Sequence, residues 1–536
     1  MENTFPYKNF SDAITAARTA QNNGDLDGAA HIYRLIPGAF PEKKSAVTAA
    51  AAGLKECGFW TEAVAAVETA LRNKPQSAMY LWALSELYRE IGDYARAAGY
   101  LQRYIDHDPR SAEAWVLLAR LHGLGGNAAE AETAYANALD RDPMNVLAAL
   151  GRGDSLFHLG RVDEAIVFYR RAVASAPRDA VALFALGSAL RAYGAESEGH
   201  DFLRRSLEID PSHAPAHVNF GLTYFNTGSL KEAEAAARNA LRIDAQLQSA
   251  QVLLGLALAE QGDLGGAADA LSAAVEKAHH TEALLALATL QNVAGDKRLA
   301  ELALQRIAVE EPNNSEAKHL LNALHGAALS APEETYAREA FNRVAQRYDV
   351  QELGYRRYAV PTAIADLVEE HQPDRRVIAR LADVGCGTGL VAASLQDAFR
   401  TDAAVGIDIS PNMAKIASAK GLYDQILIGD AREIAKLDRV FDIIAAGDLF
   451  PYLGDVTSFL AAARERLAPG GLLAYSIELS QDAPLALSAN GRFVHTQAHI
   501  DEAARAAGLR TVAVRSVALR HIFGREIQGM VGILQA

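Results

Sequence analysis

Residues 160–177, GRVDEAIVFYRRAVASAP, open on a glycine, run through helix-forming sequence and close on a proline. The frame recurs along the chain. Gly24, Gly58, Gly92, Gly126, Gly160, Gly194, Gly228 and Gly262 stand 34 residues apart, and Gly295 falls one residue short of the register. Seventeen residues after a glycine come Pro41, Pro75, Pro109, Pro143, Pro177, Pro211 and, past the slip, Pro312, with Ala245 and His279 in the two remaining places. Five residues after each glycine, and seven before it, the side chain is small, as at Ala165 and Gly153. A glycine ends one helix at a positive φ that costs it little, and small neighbours let the next helix lie close. The proline then ends that second helix, because it cannot extend the hydrogen-bond ladder.

This pattern resembles the tetratricopeptide repeat, over residues 10–314 as nine units, with SEAKHLLNALHG (315–326) as a polar-faced cap. The resemblance implies an all-α solenoid whose concave face binds a protein or peptide. Asn219, Tyr224, Asn226, Arg152, Asp154 and His158 are candidates for that face. A spacer or dimerising arm, hence a homodimer, is the competing expectation. The arginine or lysine pairs with which some members clamp a terminal carboxylate are not evident.

The 536 residues carry a net charge of −14, which argues against nucleic acid as the main partner. Cys57 and Cys386 are too few and too far apart for a disulfide framework or a metal cluster, so no metal is expected. No secretory signal or membrane-length apolar run is visible, and a cytoplasmic location with no membrane partner is the expectation.

The 34-residue register ends in HGAALSAPEE (325–334), which places a domain boundary near residue 328, dividing 1–325 from 326–536. Residues 334–371 read as two or three amphipathic helices. Beyond them the texture becomes β–α alternation. Apolar runs at 378–385, 404–409, 425–430, 441–447 and 472–478 read as buried parallel strands, and 510–519 and 529–535 as two more. A doubly wound sheet of about seven strands follows.

Ligands of such sheets sit at the strands' carboxyl ends, and Asp383, Asp408, Asp430 and Asp448 all fall there. The turn DVGCGTG (383–389) brings backbone close to a ligand, yet its spacing is not that of a pyrophosphate-binding turn, and Asp383 lies at its mouth. An acid there disfavours phosphate and favours an ammonium group. Asp408 is placed to hold both ribose hydroxyls, and Asp430 to accept from an adenine amino group. S-adenosylmethionine meets all three demands.

Residues 334–536 resemble the class I, Rossmann-like S-adenosylmethionine-dependent methyltransferases, and the whole chain resembles bacterial members that carry tetratricopeptide repeats. DVGCGTG matches the first motif, GIDIS with Met413 the second, GDA (429–431) the third, AAGDLFPYLGD (445–455) the fourth and LAPGGLLAYSIE (467–478) the fifth. The resemblance implies that Asp383, Gly385, Cys386, Gly387, Gly389, Asp408, Ile409, Met413, Asp430, Ala431, Gly447, Asp448 and Leu449 hold the cofactor, Cys386 through its backbone. It also implies that Tyr336 and Tyr348 cover the methionine end, with Arg356 and Arg357 as alternative partners for its carboxylate.

Methyl transfer from a sulfonium needs mostly alignment, plus proton removal from some acceptors. His495 is the first choice for a base, with His499, Glu478, Tyr452 and Asp448 as alternatives. Tyr452 and Tyr475 either line an acceptor pocket or belong to the core. The fourth motif reads DLFPY rather than the NPPY of amino-group methylation on nucleobases or glutamine, which disfavours those substrates. The expected activity is O- or N-methylation of a recruited protein or peptide, against a small-molecule O-methyltransferase or a binding scaffold without turnover.

Overall fold

The computed structural model describes residues 6–43, 45–276, 279–326, 334–480, 483–488 and 490–536. The boundary expected near residue 328 lies outside the described residues. The chain packs as two compact units, 1–190 and 191–536, so the unit that contains the sheet also contains the last repeats. Among the described residues no helix is long and apolar enough to cross a membrane.

From Phe10–Asn22 to Ser315–Leu324 the described chain is helical, two helices to a repeat with one more at the end. All nine register glycines have φ between 76° and 93°. After eight of them the next residue closes the turn: Asp93 N–H donates to Tyr88 O at 2.9 Å, and Asp263 N–H to Leu258 O at 2.9 Å. The small column before the glycine has a steric cause. In the first unit a Cβ on Gly153 would meet the Tyr169 ring at 2.5 Å, and in the second a Cβ on Gly255 would meet Leu271 Cγ at 2.6 Å. Arginines tie neighbouring repeats through the register prolines, with Arg103 Nη2 donating to Pro75 O at 3.0 Å and Arg171 Nε to Pro143 O at 2.8 Å.

In the second unit the sheet's main strands are β1 (Leu381–Val384), β2 (Ala404–Asp408), β3 (Gln425–Ile428), β4 (Phe441–Ala446), β5 (Leu467–Leu479), β6 (Arg510–Ile522) and β7 (Arg525–Gln535). Their order is β6-β7-β5-β4-β1-β2-β3, and β7 is antiparallel to both its neighbours. Two short strands, Leu485–Leu487 and Phe493–His495, extend the edge beside the end of β5. β1 and β2 are buried at every position, which is why they read as unbroken apolar runs. One face packs Phe441, Ile444 and Tyr475 against helices Thr457–Arg466 and Gln497–Ala506. The other packs Ile443, Leu472 and Ile533 against Val360–His371 and Leu390–Ala398. β5 starts at Leu467, earlier than the expected 472, because Leu467 pairs with Phe441 across a register irregularity.

Within this unit the last repeats support the elements that border the crevice. Phe225 packs on Tyr355 with ring centroids 4.9 Å apart, and Gln351 Nε2 donates to Asn226 Oδ1 at 3.4 Å. His319 stacks on Tyr336 at 4.0 Å and its Nε2 lies 2.7 Å from Gly491 O. Glu260 accepts from Phe523 N–H at 3.0 Å. Asn226 is thereby buried, with its amide donating to Glu196 at 2.6 Å, and is not open to a partner as expected for the concave face.

Candidate functional site

The chain reverses its direction across the sheet at β1, with β2 on one side and β4 on the other. Above the carboxyl ends of these strands lies a cavity of about 330 Å³. The glycine turn forms one wall. Gly385 and Gly387 have φ of 69° and 54°, and a Cβ on Gly387 would meet no atom within 4 Å. A ligand can therefore approach this backbone without a side chain in its way.

Asp408 ends β2 and lines the cavity. Its Oδ2 accepts from Gly387 N–H at 2.8 Å and its Oδ1 from Ser410 N–H at 2.8 Å. One carboxylate so fixes the glycine turn against the second strand. Burial pushes its pKa up, opposed by these two donors. Ser410 caps helix Pro411–Ala419, which sets Met413 in the wall, and Ile409 lines it alongside. Asp430, at the end of β3, caps the short helix Ala431–Lys436 and pairs with Arg432 at 2.5 Å. Ala431 lines the cavity beside it.

After the fourth strand come Gly447, Asp448 and Leu449, all three in the wall. Asp448 has φ 57°, a strained setting for a non-glycine, and its N–H donates to Ser476 Oγ at 2.8 Å. Its carboxylate sits between two guanidiniums: Arg492 Nη2 donates to Oδ1 at 2.5 Å, and Arg520 Nη2 donates to Oδ2. Burial works to raise the Asp448 pKa, but the two arginines outweigh it and hold the group below the usual carboxylate range. Arg492 also donates through Nε to Glu478 at 2.5 Å and through Nη1 to the Tyr452 hydroxyl. Arg520 reaches Glu352 at 3.2 Å, and Glu352 holds Arg356 at 2.6 Å. Three guanidiniums and three carboxylates thus interlock the segment 348–356, the β4 loop and the edge strands. From the helical segment over the crevice, Ala337, Phe341 and Tyr348 line the cavity, and Phe341 packs edge-on to Tyr452 at 4.9 Å.

Of the residues singled out by sequence, Tyr348, Gly385, Gly387, Asp408, Ile409, Met413, Asp430, Ala431, Gly447, Asp448, Leu449 and Tyr452 come together around this cavity. Others lie behind it. Asp383 is buried under the turn, where its Oδ2 accepts from Tyr423 OH at 2.7 Å and Ala392 N–H at 3.2 Å, while Oδ1 has no partner. Burial pushes its pKa up to about 6. Cys386 is buried with its Sγ toward Gly406, and Gly389 caps helix Leu390–Ala398. Tyr336 is taken up by His319.

His495 is fully buried, with Nε2 3.4 Å from Phe450 O and burial lowering its pKa to about 4. It packs under the cavity wall rather than facing the cavity, so the histidine of GRFVH is a core residue here. Tyr475 is likewise core, stacked on Phe450 at 5.3 Å. Arg492, Arg520, Glu352 and Phe341 are not singled out by sequence.

Residues 382–475 match the methyltransferase domain family. Residues 54–112, 83–132, 116–180 and 218–279 match the tetratricopeptide repeat family. The chain is similar to the malonyl-[acyl-carrier protein] O-methyltransferase of Geobacter sulfurreducens, 29% identical over 26% of this chain and 52% of that protein. It is similar to malonyl-[acyl-carrier protein] O-methyltransferase 1 of Coxiella burnetii, 33% identical over 22% of this chain and 40% of that protein. The trans-aconitate 2-methyltransferase of Deinococcus radiodurans is 33% identical over 20% of this chain and 41% of that protein. The chain spans about half or less of the length of these relatives.

Proposed function

We propose that this chain, which carries tetratricopeptide repeats followed by a methyltransferase domain, methylates an oxygen or nitrogen atom of a recruited protein or peptide with S-adenosylmethionine as donor. The observation that carries this reading is Asp408, a buried carboxylate at the cavity wall that is fixed by two backbone donors, Gly387 N–H of the glycine turn and Ser410 N–H. A carboxylate so fixed presents its outward lone pairs to a ribose diol. The residues fit the cofactor in two further respects: the bare Gly387 backbone leaves room for its methionine end, and Asp383 beneath keeps a buried oxygen without a partner.

In this reading Asp408 holds the ribose, Asp430 and Ala431 border the adenine, and Gly385, Gly387 and Gly447 border the methionine portion. The bound cofactor supplies a methyl group already activated by its sulfonium. The chain's own task is alignment and exclusion of water, for which Tyr348 and Phe341 close the cavity from above. The relatives named as O-methyltransferases favour oxygen over nitrogen. The domain boundary at 325/326, recruitment on the concave repeat face and a cytoplasmic location belong to the same proposal.

Calorimetry of the full chain with S-adenosylhomocysteine tests the reading. One site is expected, weakened about a hundredfold by Asp408→Ala, the loss of two hydrogen bonds to a charged group. No heat with the wild-type chain overturns it.

A further inference from the structure

We propose that the acceptor atom is a carboxylate oxygen, received already ionised at the Tyr452 hydroxyl, which the Arg492 guanidinium behind it polarises. This deepens the methyl-transfer reading above and rests on it. Hydrogen-bond bookkeeping at Tyr452 is the first ground. The ring lines the cavity, and its oxygen accepts from Arg492 Nη1. The hydroxyl hydrogen is then free for another partner, and among the described residues it has none. A phenol polarised by a buried cation is a strong donor, suited to an oxyanion and poorly suited to an amine.

The guanidiniums are the second ground. Arg492 and Arg520 are 7% and 4% exposed, and taking such groups out of water is costly to the fold. Each has five N–H donors. Arg492 places three contacts, on Asp448, Glu478 and Tyr452, and Arg520 places two, on Asp448 and Glu352. Arg520 Nε is buried without a partner. Both guanidiniums lie behind the cavity wall, and Arg492 acts on the cavity through the Tyr452 hydroxyl.

Charge is the third. Arg356, Arg492 and Arg520 balance Glu352, Asp448 and Glu478, so the network is neutral by itself. The positive charge that arrives with a sulfonium donor is matched by a negative acceptor and opposed by an ammonium. No described residue lining the cavity is disposed to remove a proton from an alcohol or amine. Asp408 accepts from two backbone N–H groups, Asp448 lies between arginines, Asp430 pairs with Arg432, and Asp455 accepts from Thr457 N–H at 2.9 Å. A carboxylate arrives ionised and needs no base. Its oxygen lone pair forms the bond to the methyl carbon, and the sulfur–carbon pair remains on sulfur. A methyl ester and the neutral thioether result, and no proton is transferred.

The full chain is incubated with methyl-labelled S-adenosylmethionine and dialysed cell extract, supplemented with its small-molecule fraction, and the products are treated with mild base. Label released as volatile methanol is expected; label that stays bound overturns the proposal. In parallel, melting of the S-adenosylhomocysteine complex is followed with acetate, succinate and benzoate and with their primary amides. Stabilisation by acids alone is expected, and equal stabilisation by the amides, or none by any acid, counts against it.

Tyr452→Phe leaves Arg492 on Asp448 and Glu478, so the fold is retained. Its kcat/KM is expected to fall about tenfold, the loss of one hydrogen bond to a charged partner, with S-adenosylhomocysteine affinity unchanged. Wild-type kcat/KM in Tyr452→Phe refutes the role of the hydroxyl. Failure to bind S-adenosylhomocysteine at all instead refutes the cofactor reading beneath it.

Discussion

Replacing Asp383 by asparagine is expected to stabilise the second unit at neutral pH. The carboxylate is 1% exposed, and burial raises its pKa from 3.8 to about 6. A raised pKa in a buried acid means that the folded state favours the proton. Below pH 4 both states are protonated and nothing is lost. Between pH 4 and 6 the folded state still holds a proton that the unfolded chain has released, so stability falls as pH rises. Above pH 6 the full penalty stands. A tenfold change in proton affinity is worth about 1.4 kcal/mol, so a rise from 3.8 to about 6 costs roughly 3 kcal/mol.

In Asp383→Asn the amide oxygen can take the bonds from Tyr423 and Ala392, while its NH₂ lies where Oδ1 now has no partner. That buried amide costs about 1 kcal/mol at any pH, leaving a gain of about 2 kcal/mol at pH 7.5 and a loss of about 1 kcal/mol at pH 4. Trp60, Trp82 and Trp115 all lie in the first unit, so tryptophan fluorescence does not report this change. Hydrogen exchange of β1 and β2 amides at the two pH values does. A variant less stable than wild type at pH 7.5, or a gain independent of pH, refutes the argument.

Arg492→Met leaves Asp448 and Glu478 buried with one partner lost each, and is expected to cost about 3–5 kcal/mol in urea unfolding monitored by exchange. His495→Gln is expected to leave the pH profile of methyl transfer unmoved, since a fully buried neutral imidazole takes no proton from an acceptor; a lost basic limb contradicts this. Gly255→Val forces a Cβ to within 2.6 Å of Leu271 and is expected to destabilise the unit by about 1–3 kcal/mol in chemical unfolding. Asn226→Leu strips Glu196 and Gln351 of a partner and is expected to raise exchange in helix Tyr348–Leu353 more than in β1.

The repeats were legible because a glycine at fixed spacing needs positive φ in every unit, and all nine adopt it. The central parallel strands β1, β2 and β4 were legible because they are buried on both faces, whereas the edge strand β3 is only half-buried. Asp408, Asp430 and Met413 were legible because strand order puts strand ends beside one another. Side-chain direction was not: Asp383 ends its strand as expected, yet turns under the glycine loop to Tyr423. His495 ends a short edge strand whose pairing with β5 buries it, and no local pattern announces that pairing. Arg492, Arg520 and Glu352 meet across as many as 168 residues of sequence, so their network exists only after the sheet edge and the helical cover have come together.

A crystal of the full chain grown with S-adenosylhomocysteine bears most directly on all this. Electron density for the nucleoside in the crevice, its sugar hydroxyls on Asp408 and its sulfur facing Tyr452, is the predicted result. An empty crevice, or a nicotinamide dinucleotide in its place, contradicts it.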